Sequence, residues 1–142
     1  MPTGTGMPLP RFVSLRTDKA NMRTGPGTRY PIEWVFKREG LPLEITTEYD
    51  VWRRVRDWEG AQGWIHQSTL SGHRTLVVTG ESPHKIRKNK GINAPPRATV
   101  FPGAIGKIIS CDIAWCKVRF DNIIGYLPKS AFWGTYPAEK IK

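Results

Sequence analysis

Trp52-Arg53-Arg54-Val55-Arg56 and Trp115-Cys116-Lys117-Val118-Arg119 are one pattern written twice, 63 residues apart, and that recurrence decides how the chain is read. Downstream of the first copy stands Gly63-Trp64-Ile65-His66-Gln67-Ser68-Thr69-Leu70. Downstream of the second, after a one-residue deletion in the intervening turn, stands Gly125-Tyr126-Leu127-Pro128-Lys129-Ser130-Ala131-Phe132. Upstream, the same shift lays Arg11-Phe12-Val13 on Arg74-Thr75-Leu76, Gly40 on Gly103 and Ile45 on Ile108. Self-similarity at a fixed spacing marks a repeated structural unit. Two small units meeting near 72–74 account for the 142 residues.

Within each unit, short segments alternate apolar and polar residues and are separated by Gly, Pro, Asn and Asp, the pattern of short strands joined by turns. Trp52–Arg56 and the segment after Gly63 read as a hairpin turning through Gly60, and Trp115–Phe120 and the segment after Gly125 as a second, turning through Asp121-Asn122. Helical periodicity has room only near Glu33–Arg38, where Pro31 and Gly40 cut it short. Units of this size cannot fill a two-sheet sandwich, but five or six short strands closing on themselves can bury a core and remove exposed edges. The expected fold is all-β: two tandem small barrels, each with a single turn of tight 3-10 helix after its last hairpin, and with Leu70 and Phe132 plugging the barrel ends. The expected division is a flexible N-terminal segment at 1–10, a first barrel at 11–73, a divergent second barrel at 74–136 and a C-terminal tail at 137–142.

The net charge of +10 is unevenly placed. Residues 1–73 carry 10 basic and 8 acidic side chains, and residues 74–142 carry 12 and 4. Clustered charge recruits anionic partners, whereas dispersed charge mainly affects solubility. Much of the excess lies in His84-Lys85-Ile86-Arg87-Lys88-Asn89-Lys90-Gly91, bounded by Pro83 and Gly91 and read as a solvated loop. The alternative is a polyanion-binding segment through Lys85, Arg87, Lys88 and Lys90. No apolar run reaches the length of a membrane span, and residues 1–15 lack a charged start followed by an apolar stretch.

Asn21-Met22-Arg23-Thr24-Gly25-Pro26-Gly27, followed by Trp52-Arg53-Arg54-Val55 and Gly63-Trp64-Ile65-His66, resembles the bacterial SH3-like domain, whose pattern is Asn-x-Arg-x-Gly-Pro, then Trp-x-x-Val, then Gly-Trp-x. The resemblance covers 11–73 well. In the second unit the later motifs persist, but Ile92-Asn93-Ala94-Pro95-Pro96 is read as replacing the Gly-Pro-Gly loop, which leaves its early strands unassigned. The closing Leu127–Pro137 and the duplication are similar to exported two-repeat members of the family from Gram-negative bacteria. That resemblance implies tandem SH3-like barrels, a periplasmic or exported location and a signal peptide outside these residues.

Cys111 and Cys116 flank a hairpin tip. With four residues between them they can face each other across the ladder at a separation that suits a disulfide. Two free thiols, or half of a zinc site completed by histidines, are the rival readings, the second without a recognised ligand spacing. A disulfide supports an oxidising compartment.

The sequence offers little for catalysis. His66 is the one histidine inside a motif and its counterpart is Pro128; Asp57 and Glu59 sit in a hairpin turn where polar residues are ordinary; no phosphate-cradling Gly-rich loop is present. The reading is a non-enzyme with no cofactor and no metal. Trp52, Trp64, Trp115 and Tyr126 occupy matched repeat positions and are read first as barrel packing. Tyr30, Trp34, Tyr49 and Trp58 lack aromatic counterparts and are the better ligand-contact candidates, with Arg23, Arg53 and Arg56 supplying carboxylate-pairing forks for a peptide. The expected function is a non-catalytic envelope module holding peptidoglycan stem peptides or a protein segment. Binding of nucleic acid or another polyanion through 84–91, and scaffolding of a single protein partner, are the alternatives.

Overall fold

The computed structural model describes residues 5–142. The chain divides into two compact units between His73 and Arg74. Unit 1 contains β1 (Arg11–Leu15), β2 (Ala20–Arg23), β3 (Ile32–Phe36), β4 (Pro42–Tyr49), β5 (Trp52–Arg56), β6 (Gln62–His66) and β7 (Leu70–Ser71). Unit 2 contains β8 (Thr75–Val78), β9 (His84–Arg87), β10 (Pro96–Val100), β11 (Ile105–Cys111), β12 (Trp115–Phe120), β13 (Ile123–Pro128) and β14 (Phe132–Trp133). The fold is all-β, and each unit carries one 3-10 turn, at Gln67–Thr69 and Lys129–Ala131. Seven strands form each unit, one or two more than the pattern suggested, because the two-residue strands after the 3-10 turns are too short to show an alternation.

The two sheets have the same antiparallel order, β3-β2-β6-β5-β4-β1-β7 and β10-β9-β13-β12-β11-β8-β14. Side-chain alternation explains the core. On β5, Arg53 and Val55 are buried while Trp52, Arg54 and Arg56 are half-buried; on β12, Cys116 and Val118 are buried between Trp115, Lys117 and Arg119. Leu15, Met22, Leu43, Ile45, Val55 and Ile65 fill unit 1, and Leu76, Val78, Ile86, Val118, Leu127 and Phe132 fill unit 2. Leu70 is only half-buried, since it pairs with Leu15 at the sheet edge rather than plugging an end. Gly63 and Gly125 have the same cause: a Cβ would come within 2.9 Å of the Arg23 carbonyl oxygen in one and 2.7 Å of the Arg87 carbonyl oxygen in the other, so β6 and β13 can lie this close to β2 and β9 only through glycine.

Two expectations for the second unit change. The basic run is not simply a loop: His84–Arg87 is strand β9, with Ile86 fully buried between exposed Lys85 and half-buried Arg87. Nor do residues 92–96 replace the glycine loop. Thr24 N–H donates to the Pro31 carbonyl and Tyr30 N–H to Gly27; Lys88 N–H donates to Pro95 and Ala94 N–H to Gly91. Lys88-Asn89-Lys90-Gly91 therefore stands where Thr24-Gly25-Pro26-Gly27 stands in unit 1. In the first loop the Tyr30 ring lies on Gly25, where a Cβ would be only 2.6 Å from it. Asn89 and Ala94 take the places of Gly25 and Tyr30, so the larger backbone residue comes with the smaller neighbour.

Thr5 and Ile141, near the two ends of the described residues, are both hydrogen-bonded to the sheets. Thr5 donates its N–H and hydroxyl to Glu48, and residues 1–4 of the expected flexible segment lie outside the described residues. At the other end Ile141 exchanges two backbone hydrogen bonds with Cys111. No helix of the described residues is long and apolar enough to cross a membrane.

Candidate functional site

The outer face of unit 1 is assembled by register. Directly opposed residues of antiparallel strands point to one side of a sheet. Tyr49 on β4 opposes Trp52 on β5, and Trp52 opposes His66 on β6, with the Trp52 and His66 rings edge to face at 5.4 Å. Two residues further along the strands, Arg54 opposes Trp64 and Trp64 opposes Arg23 on β2. The result is a strip in which three aromatic residues and a histidine lie beside two guanidinium groups. Tyr49 is 44% exposed, and Trp52, Trp64 and His66 are half-buried. Trp52, Trp64, Trp115 and Tyr126 thus face outward, contrary to the barrel-packing reading: the strand alternation that buries Val55 and Ile65 must turn their neighbours out. Period-two patterning around Val55 carried that signal in the sequence.

The structure does not gather the seven expected ligand residues into one groove. Tyr49 ends β4, opposite the first residue of β5, and Trp58 lies in the turn beyond the last, so they occupy opposite ends of that hairpin. Trp34, 50% exposed, is on β3 at the sheet edge. Arg23 holds the loop: its Nη1 donates to the carbonyls of Thr28 at 3.1 Å and Tyr30 at 2.9 Å. Arg56 donates its Nε to Glu44 across the ladder at 3.0 Å.

Arg53 departs most from expectation. It is 4% exposed, and its guanidinium donates to the carbonyls of Asp50 and Trp52 and to Oε1 of Gln67, with Nε 3.3 Å from Glu48 Oε2. Its donors are directed into the hairpin, where a ligand cannot share them. Glu48 also receives Arg11 at 2.9 Å. Burial pushes the Glu48 carboxyl up, but the Thr5 N–H and the Arg11 guanidinium outweigh it and hold the carboxyl below its ordinary value.

In unit 2 the equivalent hairpin is closed by the Cys111–Cys116 disulfide, with a Cα–Cα distance of 4.0 Å. The bond excludes both the free-thiol and the zinc readings. Its turn is ordered by Asp112, whose Oδ1 accepts the N–H groups of Ala114 and Trp115, while Oδ2 lies 2.6 Å from Lys90 Nζ. Lys90 and then these N–H groups hold the Asp112 carboxyl far below the usual carboxylate range. Of the polyanion candidates, Lys90 is thereby tethered to the hairpin and Arg87 donates to the Ala94 carbonyl, as Arg23 does in unit 1; Lys85 and Lys88 are exposed.

His66 Nδ1 accepts the Ser68 N–H and lies 2.8 Å from Ser68 Oγ. This is the geometry of a cap on the 3-10 turn. Among the described residues no group of three or more His, Cys, Asp or Glu could hold a metal ion.

Residues 16–72 match the family model of the bacterial SH3 domain. The chain is also similar to "Putative N-acetylmuramoyl-L-alanine amidase YrvJ" of Bacillus subtilis (strain 168), with 25% identity over 123 residues, covering 80% of this chain and 24% of that protein. The chain spans about a quarter of that relative's length. Among solved structures it is similar to NlpC1 from Trichomonas vaginalis, at 10% identity and a TM-score of 0.41, covering 95% of this chain and 49% of the other.

Proposed function

From the match of residues 16–72 to the bacterial SH3 domain, we propose that the chain is a non-catalytic binding module of the bacterial cell envelope. Unit 1 takes peptide segments, peptidoglycan stem peptides first among them, on its outer aromatic strip. The observation that carries this reading is the row Tyr49, Trp52 and His66 with Trp64 beside it. Large rings on the outer face of a unit whose core is filled without them keep part of their surface free for contact, and flat faces next to Arg54 suit peptide groups and their carboxylates. Similarity to a protein named for an N-acetylmuramoyl-L-alanine amidase supports a wall peptide as the ligand. The disulfide supports an exported, periplasmic setting. The non-catalytic reading is supported by the commitment of His66 to a cap and by its replacement with Pro128 in the second unit.

Co-sedimentation of the full chain with purified peptidoglycan tests the proposal. Tyr49→Ala and Trp52→Ala together are expected to weaken binding tenfold or more, the scale of an aromatic hot spot, while Trp58→Ala, at the far end of β5, leaves it unchanged. Equal binding by the wild type and the Tyr49/Trp52 variant sinks the strip as the site.

A further inference from the structure

The charge excess of the second unit is carried on its strands. None of its four carboxylates, Glu81, Asp112, Asp121 and Glu139, lies in a strand. On the outer face, Lys117 opposes Tyr126 and Tyr126 opposes Arg87; one step along, Lys107 opposes Arg119 and Arg119 opposes Ile124. Arg97 on β10 reaches the same face, donating to the Ile124 carbonyl at 3.1 Å. Among the described residues none of these five cations has an ion-pair partner.

The first unit shows that the fold does not demand this. Lys107 and Arg119 occupy the register positions of Glu44 and Arg56, which in unit 1 form a salt bridge. Arg97 stands at the position of Glu33. An attractive cross-strand pair has become two like charges directly opposed, which weakens a sheet. A face that retains such an arrangement is matched to an external anion.

The apolar side chains of the face choose among anions. Ile124 and Ile109 are 37% and 39% exposed, and Trp115 and Tyr126 are half-buried, all beside the cations. A linear polyanion gains little from isoleucine, whereas a bilayer interface takes up aliphatic and aromatic side chains together with lysine and arginine. We propose that the outer face of β9, β13, β12 and β11 docks on an anionic lipid surface, with Lys107, Arg119, Lys117 and Arg87 over the headgroup phosphates and Ile124 at the acyl boundary. This site lies on unit 2 alone and is independent of peptide binding by unit 1.

Sedimentation of the full chain with vesicles of equal parts phosphatidylglycerol and phosphatidylcholine tests it. Binding is expected at low salt, falling as salt rises, and absent with phosphatidylcholine alone. Lys107→Glu is the decisive variant, because it recreates the Glu44–Arg56 pair opposite Arg119. It should lower vesicle affinity at least tenfold while the urea midpoint of the chain stays the same or rises, which separates lost docking from lost folding. Ile124→Ser should weaken vesicle binding at unchanged charge. Vesicle binding unaffected by Lys107→Glu overturns the proposal. So does tight binding to heparin or single-stranded DNA accompanied by vesicle binding that ignores Ile124→Ser, since the face would then serve a linear polyanion.

Discussion

The hairpins Glu48–Arg53 and Cys111–Cys116 occupy the same place in their units and are fastened by different chemistry. Arg53 opposes Glu48 in the ladder as Cys116 opposes Cys111, and each pair faces the core. One is a buried ion pair whose remaining donors and acceptors are satisfied by Thr5, Arg11, Gln67 and two carbonyls. The other is a covalent bond that needs no such shell. The fold thus specifies that two side chains meet across the ladder at this point and leaves open how they attract. A second cross-strand position, Glu44 with Arg56 against Lys107 with Arg119, shows how far that freedom extends: a buried carboxylate paired with an arginine in one unit is replaced in the other by two like charges directly opposed.

The largest effect should come from breaking the ion pair on one side. Arg53→Ala leaves the buried Glu48 carboxylate with Arg11 as its one remaining cation beside the Thr5 donors, and breaking such a pair costs about 3 kcal/mol or more; urea unfolding of the chain should show the loss in the transition of unit 1. If the two positions are truly equivalent, Glu48→Cys with Arg53→Cys should form a disulfide on oxidation, read as a mass two hydrogens lower, and recover much of the loss. A thiol pair that stays reduced breaks the comparison. Next in size is removal of the native bond. Cys111→Ala with Cys116→Ala releases a short loop and should destabilise unit 2 by about 2 kcal/mol, with the unit 1 transition unmoved.

The repeat, the all-β class and the disulfide were legible because they rest on spacing and alternation, which survive substitution. Residues 84–91 were harder. Lys85, Arg87 and Lys90 dominate the composition and suggest solvent, yet one buried residue, Ile86, makes the segment a strand, and the loop equivalence appears only in backbone hydrogen bonds that no residue type announces. Arg53 was misread for the opposite reason. An arginine directly followed by Arg54 and close to Arg56 reads as surface, and its burial depends on Glu48, Asp50 and Gln67 converging from separate elements. The outward position of Trp52 and Trp64 could have been read from the burial period of Val55 and Ile65, against the general tendency of large aromatics to be inside.

The smallest effect separates the two fastenings by condition rather than by mutation. Glu48 is held below its ordinary value of 4.5 in the folded chain. A carboxyl depressed on folding contributes stability that is fully present above its unfolded value and is lost as pH falls through the folded one. Acid should therefore loosen the Glu48–Arg53 hairpin, beginning below about 4.5, while the Cys111–Cys116 hairpin keeps its bond. A reductant at neutral pH should do the reverse. The Thr5 amide, which donates to Glu48, reports the first event by its NMR shift, and Glu48→Gln should abolish that titration. Glu139 is also held low, mainly by Arg74, so unit 2 responds to acid as well, and Glu139 stands two residues before Ile141, whose backbone pairs with Cys111. Shifts at Ala114 and Trp115 serve poorly as the unit 2 reporter, because their N–H groups bind Asp112, itself a carboxylate. The Ile141 amide, bonded to the Cys111 carbonyl, is the better probe. It should respond to reduction, and its acid response, which belongs to Glu139, should be the same with and without Glu48→Gln; if Glu48→Gln changes it, the two hairpins are not independently fastened.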